Sequence, residues 1–225
     1  MSETGTVVPL ALGMAKAFLL MGTQPVLIDT GIPQTRGKLL SALARQRVKP
    51  EDLRLIIITH GHADHFGGLD VLRTTPGAKV AVHRLDADSL RTGRSIPLEA
   101  HGFRGVLLKL MIPPSRKPQI AGLEPDIILD DEFDLAQFGI SGKVIATRGH
   151  TAGSVSVILD SGEAIAGDLL TGMMSGGRPQ IAFWAWSREK SVESVRRVLS
   201  FNPGIVHVTH GGPFDPAQIR STFGL

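Results

Sequence analysis

A run of three histidines and one aspartate directly follows an apolar segment, and no other feature constrains this sequence more. The segment Leu55–Thr59 reads Leu-Ile-Ile-Ile-Thr, which predicts a strand buried on both faces. The six residues after it contain His60, His62, Asp64 and His65. Residues two apart on extended backbone point the same way, so we expect His60 and His62 to face one metal ion. Asp64 and His65, further round the loop, are expected to face a second.

Three later positions offer further ligands. His150, Asp168 and His210 each come just after a predicted strand, and each stands beside a glycine. Strand ends on one rim are where a sheet places functional groups, and adjacent glycines let the backbone pass close to a site. Because two ions need more ligands than the histidine run supplies, we expect all three to join it. Imidazole and carboxylate donors without thiolate suit zinc, with manganese and iron as alternatives.

Composition narrows the chemistry and the partners. The sequence has no cysteine, which excludes disulfides, a thiolate nucleophile and cysteine-ligated zinc and is compatible with the cytoplasmic location that we expect. The net charge is only +3 and the basic residues are scattered, so nucleic acid is not an expected partner. The apolar run Val7–Met21 is interrupted by Lys16 and is too short to span a membrane. We interpret it as two strands that turn at Gly13.

The order of apolar segments indicates one α/β domain over residues 1–225. Residues 36–47 carry leucines at helical spacing, which predicts a helix between two apolar strands. A second helix is predicted over 64–74. Short strand-like segments separated by turns follow from residue 126 onward. Near the end of the chain, Ser187 is a candidate N-cap for a long final helix.

Residues 97–118 depart from this alternation of strands and helices. They mix apolar and basic residues and break at Pro113-Pro114, which we interpret as an insertion with helical character. The insertion either covers the core or forms a lid or a contact between the subunits of a homodimer. The aromatic stretch Phe183–Trp186 leaves similar alternatives open, since it either packs in the core or lines a pocket or an interface.

The sequence resembles the metallo-β-lactamase superfamily, which includes the glyoxalase II hydrolases and lactonases. The motifs occur in the family's order over nearly the whole chain. They are Leu27-Ile28-Asp29-Thr30-Gly31, the histidine run, the later segments around His150 and Asp168, and Thr209-His210-Gly211. The resemblance implies an α/β fold in four layers, an αββα sandwich of two mixed β-sheets flanked by helices.

The resemblance also implies roles for the candidate residues. One divalent ion would be held by His60, His62 and His150. The second would be held by Asp64, His65 and His210, with Asp168 bridging both ions. Asp29 matches an aspartate that supports the site from behind, and we count it with Asp64 among the residues needed for catalysis.

The implied reaction is hydrolysis of a small molecule. A hydroxide shared by the two ions would attack the carbonyl carbon of an ester, thioester or lactone, and Asp64 would accept a proton. Two alternatives stay open: a mononuclear iron dioxygenase of the same fold, and a non-catalytic member that binds a ligand or a partner.

Several departures argue against particular subfamilies. The lack of cysteine excludes the β-lactamases that use a cysteine ligand. The other β-lactamases usually lack the bridging aspartate to which Asp168 corresponds, so Asp168 argues against them as well. Glyoxalase II enzymes add a C-terminal helical domain, whereas only about fifteen residues follow His210. Quorum-quenching lactonases typically place a tyrosine beside the metals, and this sequence contains none. The specific substrate therefore does not follow from the sequence.

Overall fold

The computed structural model describes residues 5–73, 77–97, 99, 106–107, 110, 120–173 and 175–225. Most of the predicted insertion at 97–118 lies outside the described residues, so its role as a lid or a dimer contact stays a prediction. Within it, Val106, Leu107 and Leu110 are helical, and their side chains are exposed.

The described strands form two main sheets and one short ribbon. In chain order they are β1 (Thr6–Ala11), β2 (Lys16–Met21), β3 (Val26–Ile28), β4 (Leu55–Ile58), β5 (Lys79–His83), β6 (Ile127–Leu129), β7 (Glu132–Asp134), β8 (Gly142–Ala146), β9 (Val155–Leu159), β10 (Glu163–Ile165), β11 (Leu170–Thr171), β12 (Gln180–Ile181) and β13 (Ile205–His207). The first sheet has the order β1-β2-β3-β4-β5-β6, and the second has the order β13-β10-β9-β8-β7. The ribbon pairs β11 with β12.

Both main sheets are mixed. In the first, β1 to β3 pair antiparallel, whereas β3 to β6 pair parallel. In the second, β10 pairs parallel with β13, and the other pairs are antiparallel. Because β8 and β10 are each antiparallel to β9, the strands β8, β10 and β13 all run in one direction. Their carboxyl ends therefore lie on one edge of the sheet.

Helices cover the outer faces of the sheets. Those described are α1 (Arg36–Arg45), α2 (Ala63–Phe66), α3 (Ala87–Thr92), α4 (Arg188–Ser200) and α5 (Pro216–Phe223). Short 3-10 turns occur at Pro33–Thr35, Pro50–Asp52, Leu69–Val71 and Ala136–Phe138. Within the described residues, no helix has the length and apolarity needed to cross a membrane.

Strand β4 shows how the sequence produces four layers. Leu55 and Ile57 pack in the apolar cluster between the two sheets, whereas Ile56 and Ile58 pack in the cluster under the first group of helices. All four side chains are fully buried, and each such burial contributes about 1.5–3 kcal/mol. A third apolar cluster joins the second sheet to α4. The predicted αββα sandwich is confirmed.

Most local predictions are confirmed as well. The run at 7–21 forms the antiparallel pair β1 and β2, and Ser187 accepts a hydrogen bond from the backbone N–H of Lys190 at the start of α4. The prediction of one helix over 64–74 is wrong, because α2 ends at Phe66 and only a 3-10 turn follows. Gly67 and Gly68 follow α2 directly, and glycine is about 1 kcal/mol less favourable than alanine within a helix.

Candidate metal centre

Three imidazole nitrogens meet at one buried point. His62 Nδ1 lies 3.0 Å from His60 Nε2, and His150 Nε2 lies 3.1 Å from His60 Nε2 and 2.9 Å from His62 Nδ1. All three residues are buried. Nitrogens bound tetrahedrally at zinc–nitrogen distances would lie about 3.3 Å apart. The triad formed by His60, His62 and His150 therefore has the spacing of three ligands to one ion.

A second cluster lies beside this triad and contains Asp64, His65, Asp168 and His210. Its candidate ligand atoms all lie within 4.8 Å of one another. His210 Nε2 is 3.1 Å from Asp64 Oδ2, and His65 Nε2 is 3.8 Å from the same oxygen. Two imidazoles and two carboxylates form a donor set that suits zinc, manganese or iron.

Asp168 joins the two clusters. Its Oδ2 lies 3.7 Å from His150 Nε2 in the triad and 3.4 Å from His210 Nε2 in the second cluster. Its Oδ1 lies 3.6 Å from His65 Nε2. Asp168 is thus placed where one carboxylate could serve both groups of ligands.

Two buried atoms in the second cluster lack a partner. Neither His65 Nε2 nor Asp168 Oδ1 has a hydrogen bond to any residue that the structure describes. Buried polar atoms nearly always have partners, and the 3.6 Å between these two is too long for a hydrogen bond. A cation between them would satisfy both, so the residues present fit a metal ion.

Backbone and carboxylate acceptors fix the orientation of three of the rings. His150 Nδ1 donates to the Trp184 carbonyl oxygen at 2.7 Å, and His210 Nδ1 donates to the Met14 carbonyl oxygen at 3.0 Å. His65 Nδ1 lies 2.7 Å from Asp29 Oδ2. These contacts occupy Nδ1 of each ring, so Nε2 is the nitrogen that faces the candidate ligand clusters.

Asp29 stands behind the histidine run, where the resemblance places it. It follows β3 in the left-handed region, with φ of 59°. Its Oδ1 accepts the backbone N–H of Thr59, and its Oδ2 accepts the Thr59 hydroxyl, both at 2.8 Å. Thr59 Oγ1 also lies 3.2 Å from His60 Nδ1. One carboxylate therefore positions His65 directly and His60 through Thr59.

Asp86 is a buried residue of the site that sequence reasoning missed. It follows β5 and accepts hydrogen bonds from the backbone N–H groups of Gly61 and Gly153 at 2.8 and 2.9 Å. The Thr151 hydroxyl donates to it at 2.7 Å. Burial raises the pKa of Asp86, although these hydrogen bonds oppose the shift. The local sequence does not mark Asp86, since its backbone partners lie 25 and 67 residues away along the chain.

Burial keeps the histidine triad neutral. It lowers the pKa of His60 well below the usual value and lowers that of His62 to about 3, with neighbouring imidazoles adding to both shifts. Burial also lowers the pKa of His150. A neutral imidazole keeps the lone pair that binds metal. The triad therefore offers three uncharged donors.

The second cluster is charged. Burial alone would lower the pKa of His65, but Asp29, Asp168 and Asp64 raise it well above the usual value. Against the same effect of burial, Asp168 and Asp64 raise the pKa of His210 to about 10. Burial alone would raise the pKa of each carboxyl, but His65 and His210 hold those of Asp64 and Asp168 below their usual value. These carboxylates are available to a divalent cation.

The structure brings together all seven residues that the sequence singles out as ligands, three in the triad and four in the second cluster. The fold and this donor set define a class: an αββα protein whose strand ends carry side chains that could hold metal ions. The sequence pattern of the metallo-beta-lactamase superfamily matches residues 12–210, which include all seven. The chain belongs to the metallo-beta-lactamase superfamily. That membership and the ligand clusters support a metallo-hydrolase.

Individual relatives agree with this assignment. Metallo-beta-lactamase domain-containing protein 1 of Mus musculus is 60% identical over 45 residues, which are 20% of this chain and 17% of that protein. The probable metallo-hydrolase YflN of Bacillus subtilis (strain 168) is 26% identical over 221 residues, covering 91% of this chain and 83% of that protein. Among solved structures, TTHA1623 in a di-iron-bound form is 22% identical with a TM-score of 0.69, covering 95% of this chain and 96% of that one. The last likeness shows the fold.

Proposed function

We propose that this protein is a dinuclear metal-dependent hydrolase that cleaves an ester, thioester or lactone. The observation that carries the proposal is the position of Asp168, within 3.7 Å of ligand nitrogens from both clusters. A mononuclear site would need only one cluster, and the buried carboxylate of Asp168 would then be without a cation on one side. Two ions sharing this carboxylate satisfy both groups of ligands.

Zinc is the metal that we propose, because the donors are imidazoles and carboxylates held in a buried and largely fixed arrangement. The same donors accept iron and manganese. The similar structure TTHA1623 was solved in a di-iron-bound form. Metal analysis of this protein must therefore distinguish zinc from iron.

The chemistry divides between the ions and the side chains. When bound, the ions would supply a water of lowered pKa and would polarise the carbonyl oxygen of the substrate. The buried His60, His62 and His150 fix one ligand group, and Asp168 ties the second group to it. The side chain of Asp64 is 35% exposed, whereas that of Asp168 is 9% exposed. Asp64 is thus the carboxylate that substrate can reach.

The test is a screen of small esters, thioesters and lactones with protein purified without chelator. We expect wild-type protein to hydrolyse members of at least one group without taking up oxygen. Asp168→Ala should lower kcat/KM on the order of 100-fold, while the exposed control Asp88→Asn, whose side chain is 87% exposed, should retain full activity. Oxygen uptake with one iron per chain would contradict the proposal in favour of a dioxygenase. Full activity in Asp168→Ala would contradict the shared carboxylate.

A further inference from the structure

A cavity of about 340 Å³ adjoins the second ligand cluster. It lies between the turn that joins β1 to β2 and the start of α1, and Asp64 and His210 line one side of it. Leu12, Met14 and Ile32 contribute apolar walls. Its volume falls at the small end of the range of ligand pockets, roughly 300–1,000 Å³. The cavity therefore fits a small substrate whose reacting carbonyl lies at Asp64.

Lys38 brings a positive charge to the wall formed by α1. Its Nζ lies 3.9 Å from the position that a Cβ would occupy on Gly13, so the ammonium stands over the β1–β2 turn. The other charged side chains that line the cavity, Asp64 and His210, are already paired with each other, and His210 also contacts Asp168.

No carboxylate neutralises Lys38 among the residues that the structure describes, since none of the ion pairs or hydrogen bonds found there includes it. The neighbouring cationic side chains, unlike Lys38, do have partners. Arg36 pairs with Asp70 at 2.6 Å, and Lys16 donates to the carbonyl oxygens of Gly211 and Gly212. Lys38 is thus the cation beside the cavity that has no partner within the described part of the chain.

We propose that Lys38 binds a free carboxylate of the substrate, which makes the substrate a small acid with its cleavable ester, thioester or lactone carbonyl at Asp64 and His210. This inference rests on the proposed function and adds the substrate class to it. The apolar side chains of Leu12, Met14 and Ile32 suit a short hydrocarbon chain between the two polar ends. A single ammonium is a point charge suited to one carboxylate, whereas recognition of a polyanion would favour several cations or the fork of an arginine.

The sharpest test uses two substrates of the same shape. One is glutaric acid monomethyl ester, and the other is the same ester with a carboxamide in place of the free carboxylate; the methyl thioesters form a second pair. With metal-loaded wild-type protein, we expect kcat/KM to be roughly tenfold higher for the acid than for the amide, mostly through KM. Lys38→Gln should abolish this preference, and Lys38→Arg should restore part of it.

Arg45→Gln provides the matched control. Arg45 is exposed on the same helix two turns from Lys38, about 10 Å along the axis, so its loss changes the net charge equally but leaves the cavity wall intact. This variant should keep the preference for the acid. An equal preference in wild-type and Lys38→Gln protein would overturn the inference.

A binding measurement separates this inference from the proposed function. Glutarate binding to metal-loaded protein, measured by calorimetry, should be weakened roughly tenfold by Lys38→Gln and unchanged by Arg45→Gln. Unchanged binding in Lys38→Gln overturns the inference even if all the esters are hydrolysed. Failure of wild-type protein to hydrolyse any ester, thioester or lactone contradicts the proposed function, whatever the binding result.

Discussion

The carboxylate of Asp86 accepts a hydrogen bond from the hydroxyl of Thr151 at 2.7 Å, which joins loops from different sheets. Asp86 follows β5 of the first sheet, whereas Thr151 follows β8 of the second. The same carboxylate accepts the N–H of Gly61, between the candidate ligands His60 and His62. Asp86 therefore ties the histidine run to the loop of His150 from outside the two candidate ligand clusters.

Replacing Asp86 should loosen the triad and destabilise the fold. In Asp86→Asn, the amide NH₂ must face a buried donor: the N–H of Gly153 if it replaces Oδ1, or the N–H of Gly61 and the Thr151 hydroxyl if it replaces Oδ2. We expect the free energy of unfolding to fall by about 1–3 kcal/mol and metal affinity to fall on the order of 10–100-fold. Denaturant unfolding and metal titration measure these effects. The exposed variant Asp88→Asn should change neither quantity, and equal behaviour of the two variants would refute the positioning role.

Asp29→Asn should weaken the second ion more than the first. Both carboxylate oxygens of Asp29 accept hydrogen bonds, from Thr59 and from His65 Nδ1, so an amide cannot satisfy all of these donors. We expect affinity for one of the two ions to fall on the order of 10–100-fold. Metal titration followed by elemental analysis should give a chain that retains one ion under dilute conditions. Retention of both ions with unchanged affinity would show that Asp29 does not position His65 for metal binding.

Two glycines provide an opposed pair of stability predictions. A Cβ on Gly61 would lie 2.4 Å from Ser89 Oγ and 2.7 Å from Ile96 Cδ1, so Gly61→Ala should displace the histidine run. We expect it to lower both stability and metal affinity. A Cβ on Gly37, in α1, meets no described atom within 4 Å, so Gly37→Ala should stabilise the protein by about 0.5–1 kcal/mol. Thermal unfolding of both variants tests the pair, and a stabilised Gly61→Ala protein would contradict the packing described for this loop.

The sequence could single out the candidate ligands because each group of them follows an apolar strand. The strand before His60 is buried on both faces, and its length and composition identify it without any structure. His150, Asp168 and His210 follow three strands of the second sheet, and their convergence requires only that these strands share a direction.

Other features could not be predicted, since they depend on contacts between distant segments. Asp86 reads as an ordinary residue before a short helix, and its hydrogen bonds to Gly61 and Gly153 span 25 and 67 residues. The backbone carbonyls of Met14 and Trp184, which fix two histidine rings, have no sequence signature at all.

The most direct test of the two-ion site is the metal content of wild-type protein. The protein should be purified without chelator and without a histidine tag, and the metal-to-chain ratio determined by elemental analysis. The triad and the second cluster, joined by Asp168, predict two ions per chain, with zinc as the expected metal. A single iron per chain, or no metal after incubation with excess zinc, manganese and iron, would contradict the dinuclear site.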